Sequence, residues 1–126
     1  MKKLMIATIL ILCGITACGD KTDPDYIMSI IDKKTYVLVS PFGDKNITIS
    51  FNGNKISGFS GVNRYMGSVY TAKNGFVFSD ISATRMAGDQ KSAAIEKEYM
   101  ANLRASSKIY VNNKEIRIGN MVFKEE

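Results

Sequence analysis

The sequence predicts a mainly β (α+β) fold: a small curved antiparallel sheet or partly open barrel with one packed α-helix. Three observations carry that expectation. Short runs alternate apolar and polar residues with a period of two, as strands with one buried face do. Tight-turn residues separate those runs. In the last third of the chain one stretch changes to a spacing of four, the pattern of an amphipathic helix. Short strands with tight turns and one helix fit a barrel whose open side the helix covers, an arrangement that also hides strand edges.

Residues 26–31 read either as one or two helical turns with Asp25 near the start or as a strand. Residues 36–40 are β-branched and aromatic, and Pro41, Gly43 and Asp44 supply a turn after them. In 46–51, Ile47, Ile49 and Phe51 alternate with Thr48 and Ser50, so one face is buried. Asn52, Gly53 and Asn54 tolerate the positive φ of a hairpin turn, and 55–59 pairs back. Strands at 67–72 and 76–81 flank the turn residues Lys73, Asn74 and Gly75. Ile95, Tyr99 and Leu103 recur every four residues, with Ala94 and Met100 beside them, which predicts a helix over 90–105 capped by Asp89. Strands at 108–111, 115–118 and 121–124 follow, joined by Asn112-Asn113 and Gly119-Asn120 and bringing the expected number to eight.

The N-terminus has a different character. Lys2 and Lys3 precede an apolar run from Leu4 to Cys13 that is short for a bilayer span, the layout of a secretory signal. Ile15, Thr16, Ala17 and Cys18 then resemble a lipobox: an aliphatic residue, a small residue before the scissile bond, and a thiol to take the diacylglyceryl group. The expected organisation is a lipoprotein signal peptide over 1–17, a polar lipid-anchored tether over 18–25, and one domain over 26–126. Cleavage before Cys18 leaves 109 residues, enough for a single core. The membrane is the expected partner, through acyl chains on Cys18. Gly19, rather than an acidic residue, follows that cysteine, so the expected location is the outer membrane, facing the periplasm.

Composition narrows the chemistry. Loss of Lys2 and Lys3 lowers the basic count from 17 to 15 against 12 acidic residues, with no basic run or stripe, so nucleic acid is not an expected partner. Cys13 leaves with the signal, Cys18 takes lipid, and histidine is absent. Ser/His/Asp and Cys/His nucleophiles, thiolate or imidazole zinc sites and the usual haem ligands therefore drop out; no metal, no cofactor and no enzyme activity are expected. Glu96 and Glu98 lie two apart on the helix, point to different faces, and read as solvated surface rather than an acid/base pair.

The middle of the chain carries a family pattern. Gly61-Val62-Asn63-Arg64-Tyr65-Met66-Gly67-Ser68, then Ala83-Thr84-Arg85-Met86-Ala87-Gly88, then Glu96, Tyr99, Met100 and Leu103 resemble the META domain family, which includes HslJ-type envelope proteins. The resemblance covers roughly residues 36–123. It implies an envelope setting with links to stress and antibiotic tolerance, and a fold similar to the cracked barrels of secretin pilotins. Val62 and Gly88 stand where many members have cysteine. Should those positions face each other, their joint replacement is what giving up a disulfide or redox link requires.

Gly61, Gly67, Thr84, Met86, Tyr99 and Leu103 are the motif residues with a structural reading. Gly58, Gly61 and Gly67 surround a polar turn where a side chain would obstruct close backbone approach, and the Asn63 amide can bond nearby backbone. Thr84-Arg85-Met86 reads as a strand-to-helix corner with Met86 buried. Asn63, Arg64, Tyr65 and Arg85 are the candidate contacts to a ligand or partner, the two arginines offering guanidinium donors to an anionic group. Tyr65, Tyr70 and Tyr99 either pack the core and rim or line a cavity. The function these readings favour is a non-enzymatic envelope lipoprotein that binds or supports another envelope component, protein or lipid. The alternative is an apolar-ligand carrier or pilotin-like assembly chaperone. The carrier reading fails if inward side chains such as Ile49, Phe51, Phe78, Tyr99 and Leu103 fill the interior.

Overall fold

A computed structural model describes residues 23–126. The expected signal peptide over 1–17, the lipidated Cys18 and the tether up to residue 22 lie outside the described residues.

Helix α1 spans Pro24–Ile31. Asp23 caps it by accepting the Tyr26 amide at 3.3 Å, and Pro24 occupies the first turn, where its missing N–H has no intrahelical partner to lose. The choice left open at 26–31 thus resolves to helix. Its start falls inside the expected tether because the cap and proline, rather than the apolar patch, set the boundary. Ile27 and Ile31, four residues apart, turn into the core. The fold therefore packs two helices where one was expected.

All eight strands are present: β1 Thr35–Ser40, β2 Thr48–Asn52, β3 Lys55–Phe59, β4 Arg64–Ala72, β5 Gly75–Ala83, β6 Ile109–Asn112, β7 Glu115–Ile118 and β8 Met121–Glu125. Helix α2, Gln90–Ala105, lies between β5 and β6 and is capped by Asp89 as expected. The strands form one antiparallel sheet in the order β5-β4-β3-β2-β1-β8-β7-β6, curled into a half-barrel. β4 and β5 run longer than their periodicity indicated. Met66 pairs with Ser82 while Ser68 pairs with Ser79, so β5 carries an extra residue opposite Gly67, and pairing resumes beyond it. Asp80 there has φ +55°, and a Cβ on Gly67 would lie 2.9 Å from Cγ1 of Ile81.

The two outer strands meet at one level, where the Phe76 amide donates to the Ser107 carbonyl at 2.9 Å. Beyond that seam α2 lies along β5, and Arg104 donates to the Ile81 carbonyl at 3.4 Å. The opposite opening is covered by α1, which packs on β6 and β4. Antiparallel pairing gives the barrel two distinct ends. The β2–β3, β4–β5 and β6–β7 hairpins and the entry from α1 share one, the helix end. The β1–β2 and β3–β4 connections and residues 84–89 share the other, the loop end, while the β7–β8 turn lies beside the seam, the Gly119 amide donating to the Lys108 carbonyl at 3.3 Å. Between the ends, Ile49, Phe51, Phe78, Tyr99 and Leu103 are all buried and fill the concave side, with edge-on contacts between Tyr36 and Phe51 and between Tyr99 and Phe123.

Candidate functional site

The motif residues converge at the loop end. Ser60 begins the β3–β4 turn by donating its amide to the Asn63 carbonyl at 2.8 Å, and Gly61 takes φ +103° within that turn. The Asn63 side chain then uses every site it has. Its Nδ2 donates to both carboxylate oxygens of Glu96 on α2, at 3.0 and 3.2 Å, while its Oδ1 accepts from Thr84 Oγ1 at 3.0 Å and from the Met86 amide at 2.6 Å. Ser60 Oγ also reaches Glu96, accepts the Asn63 amide at 3.1 Å, and lies 2.9 Å from the Asn63 carbonyl. One asparagine thus ties the β3–β4 turn, the exit of β5 and α2 together, and Ser60 and Asn63 are both buried. Thr84 locks β5 to β4 as well: its amide donates to the Arg64 carbonyl at 3.0 Å and its Oγ1 accepts the Arg64 amide at 3.2 Å.

Beneath this knot, Tyr65 donates to the Thr48 carbonyl at 2.7 Å, and its hydroxyl lies 2.6 Å from that of Tyr99, the rings edge-on at 5.7 Å. A Cβ on Gly58 would stand 2.2 Å from the same Thr48 oxygen, so glycine is required for the strands to approach. Burial pushes both phenols well above the ordinary tyrosine range, for Tyr65 with the neighbouring Tyr99 adding to the effect. They serve as neutral hydrogen-bonding groups inside the core.

These placements revise four expectations. Asn63 and Tyr65, expected as contacts, are both buried with their polar atoms bonded within the fold, so each borders a surface hollow as part of its wall rather than with a free polar group. Glu96 is not solvated helix surface but the acceptor at the centre of the knot, whereas Glu98 is exposed. Met86 is 67 % exposed; its amide, not its side chain, carries the structural role. Tyr70 is exposed on β4, outside the core, while Tyr99 and Leu103 are fully buried. Arg64 and Arg85 are exposed. Ser60 and Thr48 were not singled out in the sequence, since Ser60 reads as turn polarity and Thr48 acts through its backbone. Val62 and Gly88 do face each other: a Cβ on Gly88 would lie 3.5 Å from the Val62 Cβ.

Two surface hollows adjoin the knot. A groove of about 660 Å³ runs between the end of β5, residues 84–87 and α2, lined by Ile81, Arg85, Met86, Lys97, Met100 and Arg104. A second, of about 400 Å³, lies over β3–β5 and is lined by Ser57, Arg64, Met66 and Thr84. Arg64 and Arg85 therefore occupy neighbouring hollows rather than one site. The acid of the larger groove, Glu96, is engaged by Asn63 and Ser60, so the groove presents cations around the exposed Met86, with the buried Met100 beneath. Among the described residues no group of three His, Cys, Asp or Glu could hold a metal ion, and no helix is long and apolar enough to cross a membrane.

The family model for the META domain matches residues 31–124. Two solved structures are similar in fold. One, the NMR structure of a protein from Burkholderia xenovorans, has a TM-score of 0.60 and 22 % identity, covering 87 % of this chain and 92 % of that one. Another NMR structure has a TM-score of 0.61 and 19 % identity, covering 77 % and 92 % respectively. No curated protein matches the chain.

Proposed function

Since the chain belongs to the META domain family, we propose that it is a non-enzymatic envelope lipoprotein, lipidated at Cys18, whose domain binds an acidic segment of another envelope component. The observation that carries this reading is the contrast between interior and surface. The barrel interior is filled by side chains and the buried polar atoms of the motif bond one another, which leaves the larger groove, with Arg85, Lys97 and Arg104 around Met86 and Met100, as the place to meet a partner. Guanidinium groups pair with carboxylates, and the exposed Met86 thioether can adapt to an irregular apolar surface. The filled interior gives the carrier alternative no support. The outer-membrane, periplasm-facing location and a part in stress tolerance belong to the same proposal and rest on Gly19 and on the family.

The test combines two readouts on protein recovered from membranes of a lipoprotein-competent host. Intact mass should show a chain beginning at Cys18 with two or three acyl groups. A photo-crosslinker in place of Met86 should capture one envelope protein, and Arg85→Glu should abolish the capture. Val39, similarly solvent-facing but four strands from β5, is the control position. Unmodified Cys18 would overturn the lipoprotein reading, and equal capture from positions 39 and 86, or none from 86, would overturn the groove.

A further inference from the structure

The helix end of the barrel carries a second pattern, separate from the groove. Each of its three hairpins bears a lysine at or beside the turn: Lys55 after β2–β3, Lys73 in β4–β5 and Lys114 in β6–β7. All three are exposed, and among the described residues the ion pair present is Lys34 with Glu125, so these lysines are unpaired. Asp23, Asp25, Asp32, Glu115, Glu125 and Glu126 also lie at this end, of which Asp23 caps α1, Asp32 accepts the Gly53 amide at 2.8 Å and Glu125 sits beside Lys34, so it is the exposed hairpin-tip lysines and not the net charge of this end that distinguish it. Arg64, Arg85 and Arg104, by contrast, lie toward the loop end. The helix end also exposes aromatic surface, with Tyr26 46 % exposed on α1 and Tyr110 50 % exposed on β6.

Chain length links this end to the lipid. Cys18 precedes Asp23 by five residues, a reach of at most about 17 Å even when fully extended. Asp23 and Pro24 in turn share a hollow with Asn74, Lys108 and Tyr110, beside the β4–β5 hairpin. Acyl chains on Cys18 would therefore bring the helix end, and not the loop end, within contact distance of the headgroups. Tyrosine sits well at that boundary, and lysines close to an anionic leaflet are attracted to it within a Debye length.

We infer that the helix end, through Lys55, Lys73 and Lys114, rests on the anionic headgroup surface of the bilayer that holds the acyl chains, and so points the Arg85 groove away from the membrane. This rests on the lipid attachment proposed above. The bilayer is the occupant because the tether ends here and because the unpaired charges of the hairpin tips are complementary to it.

The experiment uses the full acylated chain, its mass confirmed, in nanodiscs of phosphatidylcholine alone or with roughly one third phosphatidylglycerol and a trace of gadolinium-chelating headgroups. Amide signals of 53–55, 73–75 and 112–114 should broaden at least fivefold more than those of 60–63 and 84–88. The difference should fall at least threefold in the Lys55→Glu/Lys73→Glu/Lys114→Glu variant, in pure phosphatidylcholine and in high salt. Equal broadening at both ends, or a difference indifferent to charge, would overturn the inference while leaving the anchor intact. If Cys18 emerges unacylated, the anchor reading fails by itself. A maleimide phospholipid ligated to Cys18 in a Cys13→Ser chain then gives the same measurement, with the same outcomes supporting or overturning the surface.

Discussion

At the scale of single residues, Asn63 is the side chain on which the motif depends. Asn63→Ala should lower stability by about 2–3 kcal/mol in urea denaturation, because it removes a buried side chain that bonds Glu96, Thr84 and the Met86 amide at once. Asn63→Asp, nearly the same shape, should destabilise at least as much at neutral pH, since it aims a carboxylate at Glu96 where an amide donated. A merely space-filling asparagine would tolerate aspartate better than alanine. The Tyr65–Tyr99 pair predicts an alkaline transition. Both phenols have raised folded-state pKa values, so their stabilising effect is complete below the ordinary tyrosine pKa and is lost as pH climbs from there toward the folded values. Tyr36, pushed up to about 12 by burial and by Glu125, acts in the same direction. Phenolate absorbance from these three should appear together with loss of the β-sheet circular dichroism signal, and Tyr65→Phe should move that transition.

Among the elements, legibility followed how local the determining physics was. Alternation and turn residues marked every strand, and Ile95, Tyr99 and Leu103 with Asp89 marked α2, because those signals sit within a few residues of each other. The β5 bulge was invisible, as it depends on Gly67 facing Ile81 across the sheet. Glu96 was misread for a related reason: its partners lie 33 and 36 residues upstream, and a glutamate on an amphipathic helix has no sequence mark that separates anchor from surface. Two predictions belong at this scale. Asp89 accepts the backbone and side-chain donors of Ser92, which lowers its pKa; its cap therefore supports α2 above the ordinary aspartate pKa, and that support disappears as pH falls through the folded value. Wild type and Asp89→Ala should differ in thermal midpoint at neutral pH and converge in acid. Gly88→Cys alone should destabilise, as its Cβ would meet Val62 Cγ1 at 2.9 Å, yet Val62→Cys/Gly88→Cys should oxidise spontaneously. The link between the β3–β4 turn and the approach to α2 should then add about 3 kcal/mol relative to the reduced form. Failure to oxidise would show that the two segments do not hold this separation.

The whole molecule is a sheet that curls without sealing. Hydrogen exchange should reflect this, with the Phe76 amide, donor of the seam bond to Ser107, exchanging well before the amides shared by β1, β2 and β8. Most of the architecture was legible because two antiparallel meanders, β1 to β5 and β6 to β8, need only neighbours in sequence. The exception is the join between β1 and β8, where Leu38 pairs with Phe123 and Tyr36 with Glu125. No local pattern announces that pairing, and it has a consequence for how the protein is made. The first strand to leave a ribosome or translocon waits for the last one before its second edge is covered, so a nascent chain holding everything up to α2 still exposes an open β1 edge to its neighbours. Completion of synthesis, not the emergence of the early hairpins, is the moment at which this fold becomes safe from edge pairing, and chains cut short after residue 120 should collect in inclusion bodies or in the grip of chaperones.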